Sequence, residues 1–241
     1  MNKRCIVNVA TGEFYCKQQL ALRNSARYYV NQTIIIQSDR PNVMFRDDPS
    51  NSGIDLILWH DLFPAGKTHE ESPYGFKLRA IKAAYKEGRS SILWVDSPAS
   101  LINGLDPIFE KIEKHGYYAM SHHDPLENWV GDTALKRFGM TREQLKGFHL
   151  PSGSCYGFDL SQAWVRRLFD MFCQYEEEGL FKSEVIGTDK WHRHDEAILA
   201  LLLIQHSLPV FFNDPLFQSD SPECVIRSGA NWTQDAKVYG G

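Results

Sequence analysis

The sequence lacks both a strong excess of charge and any long apolar run. It has 26 basic and 30 acidic residues, a formal net charge of −4, and no run of five like charges. Proteins that capture nucleic acid non-specifically carry a clear basic excess, so the composition gives no support to that class. The longest purely apolar run covers residues 197–204, less than half of the roughly 20 residues that a membrane helix needs. We therefore expect no membrane span.

Cysteine is also scarce, and several common motifs are missing. The chain has five cysteines, an odd number, with no Cys-x-x-Cys pair. Disulfide frameworks and Cys-rich zinc sites need paired spacings, so we predict reduced thiols in a cytoplasmic protein. The N-terminal residues contain no apolar stretch like that of a secretory signal. The glycine patterns of dinucleotide-binding folds and of P-loop proteins are absent as well, which disfavours a dinucleotide-dependent dehydrogenase and an NTPase.

The remaining composition is that of a globular protein, with 43% hydrophobic and 23% charged residues. Short β-branched runs alternate with helical patterns along the chain. This alternation predicts a single α/β domain, residues 1–241, with a mostly parallel sheet flanked by helices. The predicted strands are 5–9, 33–37, 55–59, 91–95, 117–121 and 209–212. The predicted helices are 15–31, 76–87, 106–115, 195–206 and one capped by Ser161, and residues 61–74 and 122–153 are predicted loops.

Residues 72–100 form the segment most informative about function. A helical pattern that carries Lys77 and Arg79 leads into an apolar strand, which ends at Asp96. A carboxylate at the C-terminal end of an inner strand lies where open α/β sheets bind ligands. Beside a diphosphate, Asp96 would offer the hard oxygen ligand that Mg²⁺ or Mn²⁺ prefers. The alternative is that Asp96 caps the turn that follows, at Ser97 and Pro98.

This segment resembles the central element of the GT-A glycosyltransferases, which use nucleotide sugars and contain a Rossmann-like domain. In that superfamily the strand ends in an Asp-x-Asp motif that holds a metal against the donor diphosphate. Here the triplet is Asp96-Ser97-Pro98, so Pro98 replaces the second acid. The resemblance implies that Lys77, Arg79 and Asp96 bind the donor, and that Asp96 holds a Mn²⁺ or Mg²⁺ cofactor.

Three further segments resemble the same superfamily, in the same chain order. Residues 5–19 are similar to its first strand and loop, which implies that Thr11 and Tyr15 contact the base or the ribose. Residues 151–161 are similar to its Gly-rich strand on the acceptor side. Residues 192–209 are similar to the element that supplies an acidic catalytic residue. The resemblance thus implies a donor half, residues 1–120, and an acceptor half, residues 121–241.

The implied activity is transfer of a hexosyl or pentosyl group from a uridine-linked donor to an acceptor hydroxyl. Asp195 and Glu196 are the candidate catalytic residues, because a carboxylate at the anomeric carbon takes the hydroxyl proton or stabilises oxocarbenium-like charge. Asp195 is the preferred one, since Glu196 already lies inside the first turn of the helix. Alternatively, both are ordinary acids at a helix N-terminus. The acceptor is a surface glycan or, in a phage, a hydroxymethylated DNA base. The implied acceptor contacts are His122, His123, Gly153 and Ser154.

Two other functions remain open on the sequence alone. The incomplete acidic motif is compatible with a catalytically silent relative that binds a nucleotide or a sugar. A Cys-His hydrolase is the second alternative, because Cys155 lies between Gly153 and Gly157 like a nucleophile in a tight turn. The histidine pairs at 122–123 and at 192 and 194 offer metal ligands, but without cysteines at suitable spacings.

Overall fold

The structure is a computed structural model that describes residues 3–10, 15, 18, 19, 22, 25, 26, 33–38, 54–58, 71–188, 190–217 and 220–228. Thr11 lies outside these residues, as do residues 61–70 of the first predicted loop. Of the first predicted helix, 15–31, the described positions are helical. In the described part of the chain, no helix is both long and apolar enough to cross a bilayer.

The fold is α/β, with a mostly parallel mixed sheet flanked by helices. The strands are β1 (Arg4–Ala10), β2 (Thr33–Ser38), β3 (Ile54–Leu58), β4 (Ser91–Val95), β5 (Ala99–Leu101), β6 (Tyr117–Pro125), β7 (His149–Asp159), β8 (Val185–Ile186), β9 (Lys190–Trp191), β10 (Phe211–Phe212) and β11 (Ile226–Ser228). The helices are α1 (Gly75–Lys86), α2 (Asp106–His115), α3 (Asp132–Phe138), α4 (Ala163–Glu177) and α5 (His194–Gln205). Short 3₁₀ helices lie at Leu126–Asn128 and Glu143–Leu145.

The order of strands in the main sheet is β3-β2-β1-β4-β7-β6-β10. All neighbours are parallel except that β7 runs antiparallel to both β4 and β6. From β1 the chain builds outwards through β2 and β3, and then returns to place β4 on the other side of β1. The gap between the carboxyl ends of β1 and β4 is therefore a topological switch point, where open α/β sheets bind their ligands.

Alternating apolar residues cover both faces of the sheet, since successive side chains of a strand point to opposite sides. In β4, Ile92 and Trp94 belong to the core beneath α1, α4 and α5, whereas Leu93 and Val95 pack with α2 on the other face. Helix α5 is buried on nearly every side, which explains its run of consecutive apolar residues. Its first turn is consequently held in place against the sheet.

Most predicted elements agree with the structure to within one residue. Strands β1 to β4 match the predicted runs in this way, and α2 has the predicted bounds, with Gly116 in the left-handed conformation at its end. Ser161 is not the N-cap of α4, and Asp106 is the first residue of α2 and not its N-cap. Leu105 and Gln162 occupy the N-cap positions of α2 and α4 without side-chain capping bonds, and the hydroxyl of Ser161 instead donates to the carboxylate of Asp159.

The predicted loop at residues 122–153 is also wrong, because most of it has regular structure. Strands β6 and β7 continue to pair beyond Ser121, with shifts in register that hide a simple alternating pattern. Between them, the short helix α3 buries Ala134, Leu135 and Phe138 and ends at Gly139 in the left-handed conformation. The predicted strand 209–212 is reduced to Phe211–Phe212, which pairs with β6 at the sheet edge.

Candidate functional site

A cavity of about 190 Å³ lies at the switch point between the carboxyl ends of β1 and β4. Three of the donor-binding residues predicted from the sequence, Tyr15, Lys77 and Asp96, line it. The other residues that line this cavity are Val9, Tyr74, Phe76, Ser97 and Pro98. The hydroxyl of Ser97 donates to the carbonyl oxygen of Val9 at 2.9 Å, which ties the turn after β4 to the end of β1.

Lys77 is the centre of the polar groups beside this cavity. Its side chain is 3% exposed, and its Nζ donates to the carbonyl oxygen of Gly153 at 2.9 Å. The same nitrogen lies 3.1 Å from Asp195 Oδ2 and 3.4 Å from Asp96 Oδ1. Burial alone lowers the pKa of Lys77, but the attraction of Asp195, and then of Asp96, outweighs it and raises that pKa. Lys77 is therefore a fixed positive charge.

Three aromatic rings also lie close to the Lys77 ammonium. Nζ lies 4.8 Å from the ring centre of Tyr74, 5.4 Å from that of Trp94 and 5.9 Å from that of Tyr156. Such cation–π contacts are each worth about 0.5–2 kcal/mol and exclude water from the charge. Tyr74 has φ 61°, a conformation that costs a non-glycine residue about 1–3 kcal/mol. The contact of its ring with Lys77 helps to offset that cost.

Asp96 presents a carboxylate to the cavity from the end of β4. Its backbone N–H donates to the carbonyl oxygen of Ser154, and its Oδ1 accepts a hydrogen bond of 2.8 Å from Trp94 Nε1. Among the described residues no donor bonds to Oδ2, and the side chain is 27% exposed. These contacts with Ser154 and Trp94 fix the position of Asp96 at the cavity. None of them caps the turn at Ser97 and Pro98, so this alternative finds no support.

Asp195 and Glu196 begin α5, and their carboxylates have different partners. Oδ2 of Asp195 contacts Lys77 and accepts a long hydrogen bond of 3.4 Å from the hydroxyl of Tyr156. Oε1 of Glu196 accepts the backbone N–H of Gly153 at 2.8 Å, and Oε2 accepts Nε of Arg193 at 2.9 Å. Adjacent helical residues point about 100° apart, yet both acids meet the same segment of β7.

Burial raises the pKa of both acids above their ordinary values. For Asp195 the attraction of Lys77 opposes this effect, and for Glu196 the nearby charge of Asp195 adds to it. The side chain of Glu196 is 15% exposed and that of Asp195 is 3% exposed. Glu196 is therefore the more accessible of the two acids.

The two histidines before these acids have structural partners. The backbone N–H of Gly131 donates to His192 Nδ1 at 3.0 Å, so Nε2 carries the proton and donates to the carbonyl oxygen of Leu180 at 2.9 Å. Burial lowers the pKa of His192 to about 4, so its ring is neutral near pH 7. His194 Nδ1 lies 2.7 Å from the carbonyl oxygen of Phe181. Both rings fix the chain just before and at the start of α5.

The structure does not bring every predicted residue to this site. Arg79 was predicted to bind the donor together with Lys77, but residues two apart on a helix do not share a face. Nη2 of Arg79 lies 3.1 Å from both carboxylate oxygens of Glu176 in α4. Gly153 and Ser154 are present through their backbone groups. His122 and His123 lie in β6 and not in the predicted loop, two strands away from β4.

Four residues of the site were not predicted from the sequence: Tyr74, Trp94, Tyr156 and Arg193. The position of Trp94 could have been predicted, because residues two apart on a strand point to the same side. This spacing places its ring beside Asp96. Tyr156 lies opposite Trp94 only through the antiparallel pairing of β4 with β7. No local pattern in the sequence reveals that pairing.

The described residues do not fit a divalent metal at Asp96. Pro98 replaces the second acid, and Oδ1 of Asp96 already contacts Lys77 and Trp94. Across the described ranges, no three or more His, Cys, Asp or Glu side chains are grouped so that they could hold a metal ion. The cation that the side chains of this site do supply is the Lys77 ammonium.

The cysteines in the described ranges give no support to a thiol nucleophile. Cys155, Cys173 and Cys224 are buried free thiols, as predicted. Burial raises the pKa of Cys155 well above its ordinary value, so the thiol stays protonated, whereas the thiolate is the reactive form. The structure therefore does not favour the Cys-His hydrolase.

Comparisons with known proteins find no matching family model and no similar curated protein. The position and chemistry of the site are therefore what indicate its function. The site combines a cavity at the switch point, a partly exposed carboxylate, a buried ammonium and two acids at a fixed helix start.

Proposed function

We propose that this protein is a GT-A-like glycosyltransferase, which moves a sugar from a uridine-linked nucleotide donor to an acceptor hydroxyl. The observation that carries the proposal is the convergence of Lys77, Asp96 and Asp195 beside a cavity at the switch point. These three residues come from a helix, a strand end and a second helix that are far apart in the sequence. Dinucleotide and nucleotide ligands of open α/β sheets bind at this position.

The walls of the cavity suit the nucleoside part of such a donor. Tyr15, Tyr74 and Phe76 offer aromatic surface for the base, since aromatic faces stack readily on nucleobases. Oδ2 of Asp96 is placed to accept hydrogen bonds from sugar hydroxyls. Lys77 has oxygen partners for its three N–H donors, so it acts on the departing diphosphate through its field, which is strong in a site that excludes water.

On the acceptor side we assign proton transfer to Glu196 and positioning to Asp195. Glu196 is the more exposed acid, and its raised pKa brings it towards the range that a general base needs near neutral pH. Asp195 holds Lys77 and the hydroxyl of Tyr156. Of the predicted acceptor contacts in β7, Gly153 donates its N–H to Glu196 and Ser154 accepts the N–H of Asp96. The proposed acceptor is a glycan hydroxyl or a hydroxymethylated DNA base.

The test is a panel of nucleoside diphosphates and nucleotide sugars in thermal-shift and product assays. A ligand at 100 times its Kd stabilises the folded state by about 2.7 kcal/mol, so we expect UDP and one or more UDP-sugars to raise the melting temperature. Release of UDP in the presence of an acceptor would support transfer. Stabilisation without any turnover would support the silent relative instead, and no response to any nucleotide would contradict the proposal.

A further inference from the structure

Three oxygens from three separate elements surround the Lys77 ammonium. They are the carbonyl oxygen of Gly153 in β7, Oδ2 of Asp195 in α5 and Oδ1 of Asp96 after β4, at 2.9, 3.1 and 3.4 Å from Nζ. We call these three atoms the oxygen cage. Its donor set, two carboxylates and one carbonyl, is the set that Mg²⁺, Mn²⁺ and Ca²⁺ prefer in proteins.

The charge of the cage favours a cation at its centre, since two carboxylates without one would repel each other or share a proton. Asp195 is almost fully buried, and Asp96 contacts the same Nζ. Two ionised carboxylates this close to one point repel each other strongly where water is excluded, and removal of the ammonium would leave that repulsion uncompensated. The rings of Tyr74 and Trp94 also turn their faces to the ammonium, which favours a positive charge at this point. A side chain of the protein itself therefore occupies the cation position.

We propose that the Lys77 ammonium is the resident cation of this site, so that the cavity binds its ligand without a divalent metal. Lys77 is a positioning residue here, because it sets the orientation of Asp96, the side chain that contacts the ligand, and neutralises the cage. The inference rests on the proposed function only for the identity of that ligand. It also makes a structural prediction: a cage without the ammonium becomes a binding site for a divalent cation.

The experiment compares wild type with Lys77→Ala and Lys77→Met in EDTA and in Mn²⁺. Alanine leaves the cage open, whereas methionine fills it with an uncharged stem that binds no hard cation. Lys82→Ala is the matched control, since Lys82 is an exposed lysine on the same helix. Mn²⁺ binding is measured directly by electron paramagnetic resonance, and melting temperatures are measured in parallel.

We expect no Mn²⁺ binding by wild type, Lys82→Ala or Lys77→Met. Lys77→Ala should melt lower than wild type in EDTA and should bind Mn²⁺. At 100 times the Kd of the metal, its melting temperature should rise by about 5–10 °C. If Lys77→Ala does not fold in EDTA, refolding in Mn²⁺ tests the same cage. Recovery of the folded state only with Mn²⁺ supports the proposal, and no recovery contradicts the cage.

The inference would be overturned if wild type bound Mn²⁺ and Asp96→Asn abolished that binding. It would also be overturned if Lys77→Ala folded but bound no Mn²⁺. UDP binding by wild type is measured in the same two buffers. Equal affinity in EDTA and Mn²⁺ supports the inference, and affinity that depends on Mn²⁺ contradicts it. A protein that binds no nucleotide in either buffer would instead refute the proposed function, and the metal measurements would still decide the role of Lys77.

Discussion

The neutral ring of His192 makes the stability of this protein depend on pH in a way that can be calculated. The ring is buried, accepts the N–H of Gly131 and donates to the carbonyl oxygen of Leu180. Its pKa falls from 6.5 to about 4 in the folded state. Between these values the unfolded chain binds a proton that the folded chain does not bind. The contribution of His192 is therefore complete above pH 6.5 and is lost as the pH falls towards 4.

The size of this effect follows from the shift in pKa. One pKa unit corresponds to about 1.4 kcal/mol, so a shift of this size is worth about 3 kcal/mol in total. Between pH 7 and pH 5, the free energy of unfolding should fall by about 2 kcal/mol because of this residue. Equilibrium urea unfolding at these two pH values measures the loss in wild type.

The variant His192→Gln separates this residue from the other groups that titrate in the same range. It should be less stable than wild type at pH 7 by about 1–3 kcal/mol, since glutamine cannot satisfy both Gly131 and Leu180 in the same geometry. Its stability should fall by about 2 kcal/mol less between pH 7 and pH 5. An equal fall in both proteins would refute the assignment of a neutral, buried His192.

Four other substitutions test the acids and the segment of β7 beside them. Glu196→Gln should lower kcat at least a hundredfold, about 2.7 kcal/mol in the barrier, with little change in KM for the donor or in melting temperature. Asp195→Asn should lower stability and kcat together, because it weakens the contact with Lys77. The reverse pattern in steady-state kinetics would exchange the two roles. Gly153→Ala places a Cβ 2.7 Å from Glu196 Oε1, so turnover should fall at least tenfold, about 1.4 kcal/mol, while thermal unfolding changes little. Cys155→Ser should retain turnover. Loss of turnover in a folded Cys155→Ser protein would instead support the hypothesis that Cys155 is a nucleophile.

The sequence was informative where local patterns decide the structure. The apolar run of β4 followed by Asp96 predicted both the strand and a carboxylate at its C-terminal end. The apolar body of α5 predicted a buried helix with acids at its start. Lys77 and Arg79 were predicted together from their shared helix. The structure separates them, because side chains two positions apart on a helix face different neighbours.

The parts that could not be predicted depend on contacts between distant segments. The oxygen cage exists because β7 runs antiparallel beside β4, which brings Gly153 to Lys77 and Tyr156 to Trp94. Register between distant strands is set by the whole sheet, not by either strand alone. The role of His192 was hidden in the same way, since its two partners lie 61 and 12 residues away in the chain.

The central claim is that the cavity at the switch point binds a nucleotide sugar through Asp96. Calorimetric titration of UDP and UDP-sugars into wild type and Asp96→Asn tests it most directly, with Asp170→Asn, an exposed aspartate on α4, as the matched control. We expect Asp170→Asn to bind like wild type and Asp96→Asn to bind at least a hundredfold more weakly, about 2.7 kcal/mol, while it still unfolds cooperatively in the absence of ligand. Equal nucleotide affinity in wild type and a folded Asp96→Asn would contradict the claim.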